Sequence, residues 1–143
     1  MYGSHVYVAT ENDTIYSLDA ATGAVAWQAH LGTQIPSSQP GSQLPCGDIQ
    51  PTVGITGTPV IDAATKTIYA VTDTWDGTHP ESIQHKLVAL ELSTGAMRTG
   101  FPIDVDPTFP SGGSAAQQLQ RPALALDGNE VVIGYGGNDG DCG

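Results

Sequence analysis

Leu18–Trp27 reads LDAATGAVAW: the end of one apolar strand, a Thr-Gly turn, and a second strand that carries a tryptophan. A similar order returns 72 positions later, where Leu90–Gly95 reads LELSTG. Because glycine adopts positive φ without steric cost, each Thr-Gly predicts a tight turn between two antiparallel strands. Two copies of one turn indicate an internally repeated sheet.

Other strands recur with a similar period. Val6–Thr10 (VYVAT) is followed 62 positions later by Ile68–Thr72 (IYAVT), and after a further 63 by Val131–Tyr135 (VVIGY). A preceding strand occurs twice, as Pro59–Asp62 and Pro122–Ala125, each beginning nine residues before its neighbour. Short apolar runs separated by turn residues predict repeated units of four antiparallel strands, which we call A, B, C and D.

The repeats predict an all-β fold, a β-propeller with four antiparallel strands in each blade. The nine predicted strands make only two to three blades, whereas a closed propeller needs ~4–8, so we expect an incomplete propeller. The whole chain, 1–143, is predicted to be one partial domain. Its predicted divisions are 1–32 (strands B to D), 33–55 (inserted loop), 56–103 (complete blade), 104–120 (inserted loop) and 121–143 (start of a third blade).

The charge of the chain is strongly acidic, with 15 Asp and Glu against 4 Lys and Arg and a net charge of −11. Such a surface repels phosphate backbones, which argues against nucleic acid as a partner. No stretch approaches the ~20 consecutive apolar residues that a membrane span needs. The composition therefore favours a protein partner over a nucleic acid or a bilayer.

Two cysteines, Cys46 and Cys142, lie 96 positions apart in Gly-rich settings. They are too few for a zinc site, which needs four paired ligands. We predict a disulfide, which would stabilise by roughly 4–5 kcal/mol on the chain-entropy model; two unrelated thiols are the alternative. A disulfide implies an oxidising compartment, periplasmic or secreted. Because Met1–Val8 lacks the basic and apolar regions of a signal peptide, export would need a signal outside this sequence.

The segment Leu18–Trp27, with Val6–Thr10 and Thr14–Tyr16 before it, resembles the tryptophan-docking repeat of pyrroloquinoline quinone (PQQ) dehydrogenases and their relatives. The Gly-rich segments around Cys46 and Cys142 are also similar to those of uncharacterised bacterial exported proteins with PQQ-like repeats. The resemblance implies that the chain belongs to a larger propeller, of the eight-bladed type.

The resemblance also implies roles for three structural residues. Gly23 and Gly95 would make the turns between strands C and D, and Trp27 would dock on the neighbouring blade near that blade's own glycine turn. The second unit has Thr99 where a tryptophan would fall, and Phe101 is its candidate substitute.

The catalytic site of PQQ dehydrogenases does not map onto this sequence. Members of that family hold Ca²⁺ or a lanthanide through Glu, Asn and Asp, use an Asp base, and often carry adjacent cysteines. No adjacent cysteines occur here and no ligand motif matches, so we predict no catalytic residue and no cofactor. Asp139 and Asp141 have oxygens that could hold Ca²⁺, but they lack the distal Glu of an EF-hand loop, and a polar Gly-rich loop is the preferred interpretation.

Four further residues have weaker patterns. His79 and His85 bracket Glu81, but no third ligand at a known spacing supports a metal site. Asp104 and Asp106 are predicted to be solvated carboxylates beside a proline.

Three hypotheses for function follow. The first is a non-catalytic, exported scaffold or binding module, since propellers of this family offer strand edges and loops to protein partners. The second is a fragment of a PQQ-dependent dehydrogenase with PQQ and calcium. The third is a fragment that self-associates through exposed blade edges.

Overall fold

The computed structural model describes residues 1–37, 49–79, 82–108 and 118–137. Thirteen β-strands and no α-helix lie in these ranges, and all pairings are antiparallel, which confirms the predicted all-β class. No helix capable of crossing a bilayer occurs in the described ranges. The strands are β1 (His5–Thr10), β2 (Thr14–Asp19), β3 (Val25–His30), β4 (Ile35–Pro36), β5 (Thr52–Val53), β6 (Val60–Asp62), β7 (Thr67–Thr74), β8 (Gln84–Glu91), β9 (Ile103–Asp104), β10 (Gln118–Leu119), β11 (Ala125–Asp127), β12 (Glu130–Val132) and β13 (Gly136–Gly137).

The first sheet has the strand order β1-β2-β3, and these strands correspond to B, C and D of the first predicted unit. The turn between β1 and β2 contains Asp13 with φ +54, a left-handed conformation that aspartate tolerates better than most residues. A register shift between Ser17 and Leu18 brings Leu18 opposite Val25 of β3. In this sheet β1 is an edge strand.

The second sheet has the order β6-β7-β8-β9 and supplies the four strands of the second predicted unit. Strands β7 and β8 have eight residues each and pair along their full length. Strand D, predicted to begin at Ala96, is reduced to a bridge at Met97 and the two residues of β9. A turn interrupts it, closed by the Phe101 N–H donating to the Arg98 carbonyl at 3.2 Å, with Gly100 at φ +90.

The third sheet consists of the hairpin β11-β12, which corresponds to strands A and B of the third predicted unit. Asp127 pairs with Glu130, so Gly128 and Asn129 form the two-residue turn that the Asp-Gly sequence predicts. Gly128 has φ +59, the conformation such a turn needs.

The two segments predicted to be inserted loops contain short strands. Strand β4 pairs with β5, and β10 pairs with β13. The β4-β5 pair buries the side chains of Ile35 and Val53, which are 1% and 3% exposed. Strands of two residues show no alternation in a sequence, so the pattern could not predict them.

Two apolar cores lie where consecutive sheets meet. Between the first and second sheets, apolar side chains of β1, β2 and β3 pack on apolar side chains of β7 and β8. Between the second and third sheets, Val71 and Leu87 pack with Leu124. The buried members of the first core are Ile15, Ile55, Ile68, Ala70, Val88, Leu90 and Leu92. Each fully buried aliphatic side chain contributes about 1.5–3 kcal/mol, so these faces hold the sheets together.

Candidate functional site

The contact that joins the first two sheets is the indole of Trp27. Its Nε1–H donates a hydrogen bond to the carbonyl of Leu92 at 2.9 Å. The ring lies directly over Gly95, where a Cβ atom would come within 2.6 Å of Trp27 Cε3. Only a glycine leaves room for the ring at this approach, and Gly95 also has φ +74, a conformation that side chains disfavour.

Backbone hydrogen bonds within the turn hold the turn that lies beneath the indole. The Gly95 N–H donates to the Glu91 carbonyl at 2.8 Å, and the Glu91 N–H donates to the Ala96 carbonyl at 2.9 Å. Tyr7 completes the contact, because its hydroxyl donates to the same Leu92 carbonyl at 3.2 Å. The rings of Tyr7 and Trp27 have centroids 5.8 Å apart, at the separation of a favourable aromatic pair.

The first sheet contains a second copy of this turn. The Gly23 N–H donates to the Asp19 carbonyl at 2.8 Å, and the Asp19 N–H donates to the Ala24 carbonyl at 2.8 Å. Gly23 has φ +74, the same value as Gly95. Here, however, no atom of the described residues lies within 4 Å of the place where a Cβ would stand, and Gly23 is exposed.

The first sheet also presents an apolar face that the second sheet does not cover, which we call the outer face. Val6 pairs with Leu18 and Val8 with Tyr16, on the side opposite the residues that pack into the core. At its edge Val25 is 56% exposed, and Val8 is 37% exposed. The outer face consists of Val6, Val8, Tyr16, Leu18 and Val25.

The equivalent face of the second sheet is buried. Ile68 pairs with Leu90 and Ala70 with Val88, in the positions that Val6–Leu18 and Val8–Tyr16 occupy in the first sheet. All four side chains are at most 1% exposed because the first sheet lies on them. The face that is part of the core in the second sheet is therefore open in the first sheet.

A cluster of buried polar groups lies at one end of the sheets. His85, at the start of β8, is fully buried; its Nδ1 lies 3.0 Å from Asp106 Oδ1, and its Nε2 lies 3.1 Å from the Gln118 carbonyl. Asp106 Oδ1 also accepts the His85 backbone N–H at 2.7 Å. The Tyr135 ring meets the imidazole edge-on, with centroids 5.1 Å apart. Groups from three separate segments thus hold one histidine.

Two carboxyl groups in this cluster have few hydrogen-bond partners. Asp13 is fully buried, and neither of its carboxyl oxygens accepts a hydrogen bond from the described residues. Asp73, 3% exposed, has Oδ1 3.4 Å from His85 Nε2, but without hydrogen-bond geometry, since Nε2 is directed at Gln118. A buried carboxylate without donors is costly, whereas the protonated acid is much less so.

Burial accordingly changes the protonation of the cluster. Burial, with a contribution from the Glu11 charge, raises the pKa of Asp13 to about 8. Burial, followed by the charges of Asp13, Glu11 and Asp106, raises the pKa of Asp73 well above its ordinary value. Burial, with the charges of Asp73 and Asp106, also raises the pKa of Tyr135. Asp13 therefore favours its neutral form near neutral pH, and the carboxyl of Asp73 keeps its proton to higher pH than an ordinary aspartate does.

No family model matches the sequence, and no curated protein matches it either. Among solved structures, the chain is similar to BamB from Moraxella catarrhalis, with a TM-score of 0.56 and 19% sequence identity. The similarity covers 94% of this chain and 32% of that chain, so this chain spans about a third of the BamB structure.

The chain has the fold of an incomplete β-propeller. The first, second and third sheets are consecutive blades, and the faces between them are blade interfaces. The predicted fold class is confirmed at this level. An identity of 19% carries the fold alone, and function has to come from the residues of this chain.

The structure places the predicted structural residues at the interface between blades. Trp27 of the first blade lies on Gly95 of the second, and Gly23 occupies the equivalent turn of the first blade. In the second blade, the ring of Phe101, the candidate substitute for a tryptophan, lies with its centroid 6.0 Å from that of Tyr69 and packs against the core of Val71, Leu87 and Leu124.

Other predicted residues lie outside the described part of the chain. These are Cys46 and Cys142, predicted to form a disulfide, and Asp139 and Asp141, considered for calcium.

The two histidines that bracket Glu81 have different surroundings. His79 is exposed, and its Nδ1 lies 2.6 Å from Asp76 Oδ2, whereas His85 is in the buried cluster. Glu81 is outside the described residues. In the ranges that the structure describes, no three His, Cys, Asp or Glu side chains form a group suited to a metal ion.

The prediction for Asp104 and Asp106 was half wrong. Asp104 is 66% exposed, as expected of a solvated carboxylate, and pairs with Lys86 at 2.7 Å. Asp106 is 34% exposed and binds His85 through one oxygen. Because Asp106 lies beside His85 at the start of β8, the second carboxylate of the pair is half-buried at the cluster, whereas the first lies beside Lys86 at the surface.

Sequence analysis missed the buried cluster. Its members Asp13, Asp73 and His85 are far apart in the chain and fit no known spacing. One feature of the sequence did point to the cluster: Asp73 is a carboxylate near the end of the apolar run of β7, where a charged side chain is unusual.

Proposed function

We propose that this chain is a non-catalytic scaffold and protein-binding module of the PQQ-like repeat family, working outside the cytoplasm. The observation that carries the proposal is the outer face of the first blade. It is apolar and matches, position by position, a face that the second blade buries completely, yet Val8 and Val25 are exposed. An apolar face with these positions is built to be covered by another β-sheet, which supports association through this surface.

The family assignment within this proposal is supported by Leu18–Trp27 and by the contact it makes. The indole on a glycine turn of the next blade is what the resemblance to the tryptophan-docking repeat implies, and a Cβ on Gly95 would lie 2.6 Å from Cε3 of that ring. The extracytoplasmic location depends on the predicted bond between Cys46 and Cys142. Formation of that bond in the exported protein, measured by mass spectrometry with and without reduction, tests the location.

The non-catalytic role is supported by the position of the titratable groups. The carboxyls with the most altered pKa, those of Asp13 and Asp73, lie inside the protein at 0% and 3% exposure. A general acid or base has to reach the reacting group of a substrate. These two acids are enclosed in the protein interior instead, which favours a structural role.

Site-specific crosslinking in cells that express the chain tests the binding function. A photo-activated amino acid at Val8 or Val25 is expected to capture one discrete partner protein. The matched control is Ala64, which is exposed in the turn between β6 and β7, away from the outer face, and is expected to give no product. Equal crosslinking at all three positions, or at none of them, contradicts the proposal.

Two measurements distinguish the alternatives. A saturable absorbance change on mixing the purified chain with PQQ and Ca²⁺ would favour the dehydrogenase fragment. A mass that increases with protein concentration in light scattering would favour self-association. We expect neither.

A further inference from the structure

The buried cluster contains a histidine whose neighbours accept hydrogen bonds on both sides, and this feature goes beyond the proposed binding function. We infer that His85 is a pH-sensitive latch. With a proton on each ring nitrogen, its imidazole holds the β10–β13 pair against the second blade, and loss of one proton releases that pair. The evidence is the chemistry of the atoms that face the two nitrogens.

Both ring nitrogens of His85 face oxygen atoms that act as acceptors. Nε2 lies 3.1 Å from the carbonyl oxygen of Gln118, which has no proton to donate. Nδ1 lies 3.0 Å from Oδ1 of Asp106, a carboxylate oxygen that also accepts the backbone N–H of His85 at 2.7 Å. A neutral imidazole has one N–H and can serve only one of these acceptors, whereas the imidazolium serves both.

The groups in contact with the imidazole supply a counter-charge for this cation. Asp106 follows β9, and Asp73 of β7 has Oδ1 3.4 Å from Nε2 of His85. Tyr135 meets the ring edge-on, and burial, with the charges of Asp73 and Asp106, raises the pKa of its hydroxyl, so this neighbour is uncharged. A buried cation is costly unless it is paired and hydrogen-bonded, and these neighbours provide both conditions.

Other charged groups act on the latch only through its neighbours. Burial, followed by the charges of Asp13 and Glu11, raises the pKa of Asp73, so that carboxyl favours its uncharged form. Lys86, the next residue along β8, pairs with Asp104 at 2.7 Å on the surface. Asp106 is therefore the main counter-charge of the imidazolium.

The latch connects the second blade to segments that have few hydrogen bonds of their own. Gln118 belongs to β10, which pairs with β13 over only two residues of each strand. The Val105 N–H donates to the His85 carbonyl at 2.9 Å, and the Tyr135 hydroxyl donates to the Val105 carbonyl at 2.6 Å. Because an isolated two-stranded pair is marginally stable in water, β10–β13 depends on these contacts.

Loss of one proton leaves one of the two acceptors without its donor. His85 is fully buried, so water cannot take the place of the missing N–H while the latch is closed, and a buried acceptor without a partner is disfavoured. The closed latch therefore binds a proton that the open latch releases, so acid favours closure and alkali favours opening. The opening is local, because the β11–β12 hairpin has its own pairing and Val131 packs against the core of Val71, Leu87 and Leu124.

The experiment uses the full chain labelled with ¹⁵N and follows two signals from about pH 5 to about pH 9, a range that includes the titration of imidazole. The chemical shifts of the two ring nitrogens of His85 report whether each carries a proton. Hydrogen exchange of the β10 and β13 amides, corrected for the intrinsic effect of pH, reports whether the pair is closed. We expect protection of these amides to be lost at the pH at which a His85 nitrogen loses its proton.

Two internal controls are present in the same sample. His30 has Nδ1 3.1 Å from the Thr14 hydroxyl, which can donate as well as accept, so His30 needs no second proton. Its titration is expected to leave the exchange of β10 and β13 unchanged. The amides of β11 and β12 are expected to keep their protection when those of β10 and β13 lose it.

Three variants separate the latch from other carboxyl groups. Asp106→Asn removes the counter-charge, and both the His85 signal and the loss of β10–β13 protection are expected to move together to lower pH. Asp104→Asn, beside Lys86 at the surface, is the matched control and is expected to leave both signals in place. In Asp13→Asn the two signals are expected to remain coupled, because Asp13 does not contact the imidazole.

The contrary outcomes are distinct. One bare His85 nitrogen in the closed form at every pH would place the shared proton on Asp106 and overturn the inference. Loss of a His85 proton with β10–β13 still protected would also overturn it, since the imidazolium would then hold nothing. Simultaneous loss of protection in β11–β12 would show that the whole chain unfolds and that the latch is not local. None of these measurements involves a partner protein, so their failure leaves the proposed binding function standing.

Discussion

The indole of Trp27 and the α-carbon of Gly95 are so close that a Cβ on Gly95 would lie 2.6 Å from Cε3 of the ring. A glycine in one blade and a tryptophan 68 positions earlier in the chain thus form a single packing element. The indole N–H adds a hydrogen bond to Leu92 at 2.9 Å. Four predictions follow from this contact and from the buried cluster.

Trp27→Ala is expected to lower the free energy of unfolding by about 3 kcal/mol, since large aromatic truncations cost ~3–5 kcal/mol and Trp27 is partly exposed. Trp27→Phe keeps an aromatic ring but loses the hydrogen bond, and is expected to lower the free energy of unfolding by about 1 kcal/mol. Urea unfolding followed by circular dichroism measures both. Val25→Ala, on the same strand at 56% exposure, is the control and should change stability by less than about 0.5 kcal/mol.

Gly95→Asn and Gly23→Asn form a matched pair, because both positions have φ +74 and asparagine tolerates that backbone. We expect Gly95→Asn to destabilise by about 1–3 kcal/mol through overpacking against the indole, and Gly23→Asn to have a much smaller effect. In a Trp27→Ala background the cost of Gly95→Asn should largely disappear, as expected for residues in direct contact. Equal costs at the two glycines would show that backbone strain, and not the ring, limits residue 95.

Asp13 is expected to make the protein less stable as the pH rises. Its pKa is raised to about 8 in the folded chain, from an ordinary value of 3.8, so the folded state binds a proton that the unfolded state has released between these values. The contribution of Asp13 to stability is therefore fully present below about pH 4 and is lost toward pH 8, by up to ~1.4 kcal/mol per pH unit for one proton. The raised pKa of Asp73 acts in the same direction.

Asp13→Asn should remove that contribution and flatten the decline in urea unfolding energy between about pH 5 and pH 8. Asp62→Asn is the control. Hydrogen bonds from the Thr65 side chain and from backbone N–H groups lower the pKa of Asp62, so its effect lies at more acidic pH. An unchanged slope in Asp13→Asn would mean that the carboxyl of Asp13 is ionised in the folded protein.

Asp106→Ala and Asp104→Ala compare the half-buried carboxylate with its exposed neighbour. Removal of Asp106 leaves the His85 backbone N–H and imidazole without their acceptor, a loss of about 1–3 kcal/mol. Asp104 pairs with Lys86 at the surface, where such pairs contribute about 0–1 kcal/mol. Thermal unfolding of the two variants compares them. A larger loss in Asp104→Ala would contradict the placement of Asp106 in the cluster.

The succession of strands in the blades could be predicted because each strand and turn is encoded by residues that are close together in the chain. The offsets of Val6–Thr10 and Ile68–Thr72 fix which strands are equivalent, and alternation along each strand fixes which side chains face the core. The role of Gly95 was predicted for the same reason, through the Thr-Gly turn it shares with Gly23.

The buried cluster could not be predicted because it is assembled by packing between blades. Asp73 and His85 are cross-strand partners in β7 and β8 of the second blade, but Asp13 lies in a turn of the first blade, and no spacing in the chain connects it with them. Likewise, the sequence does not distinguish Asp104 from Asp106, and it is the fold that places Asp104 beside Lys86 at 66% exposure and Asp106 beside His85 at 34% exposure.

The β7–β8 hairpin lies in the middle blade, with a neighbouring blade packed against each of its faces. In repeat architectures, stability depends on contacts between nearest neighbours, so the central element gains from two and a terminal element from one. Amide protons of Ala70 and Val88 should therefore exchange with solvent only when the whole assembly opens, whereas those of β12 should exchange by local fraying. The molecule would come apart from its ends inward, and the hairpin would be the last part to open.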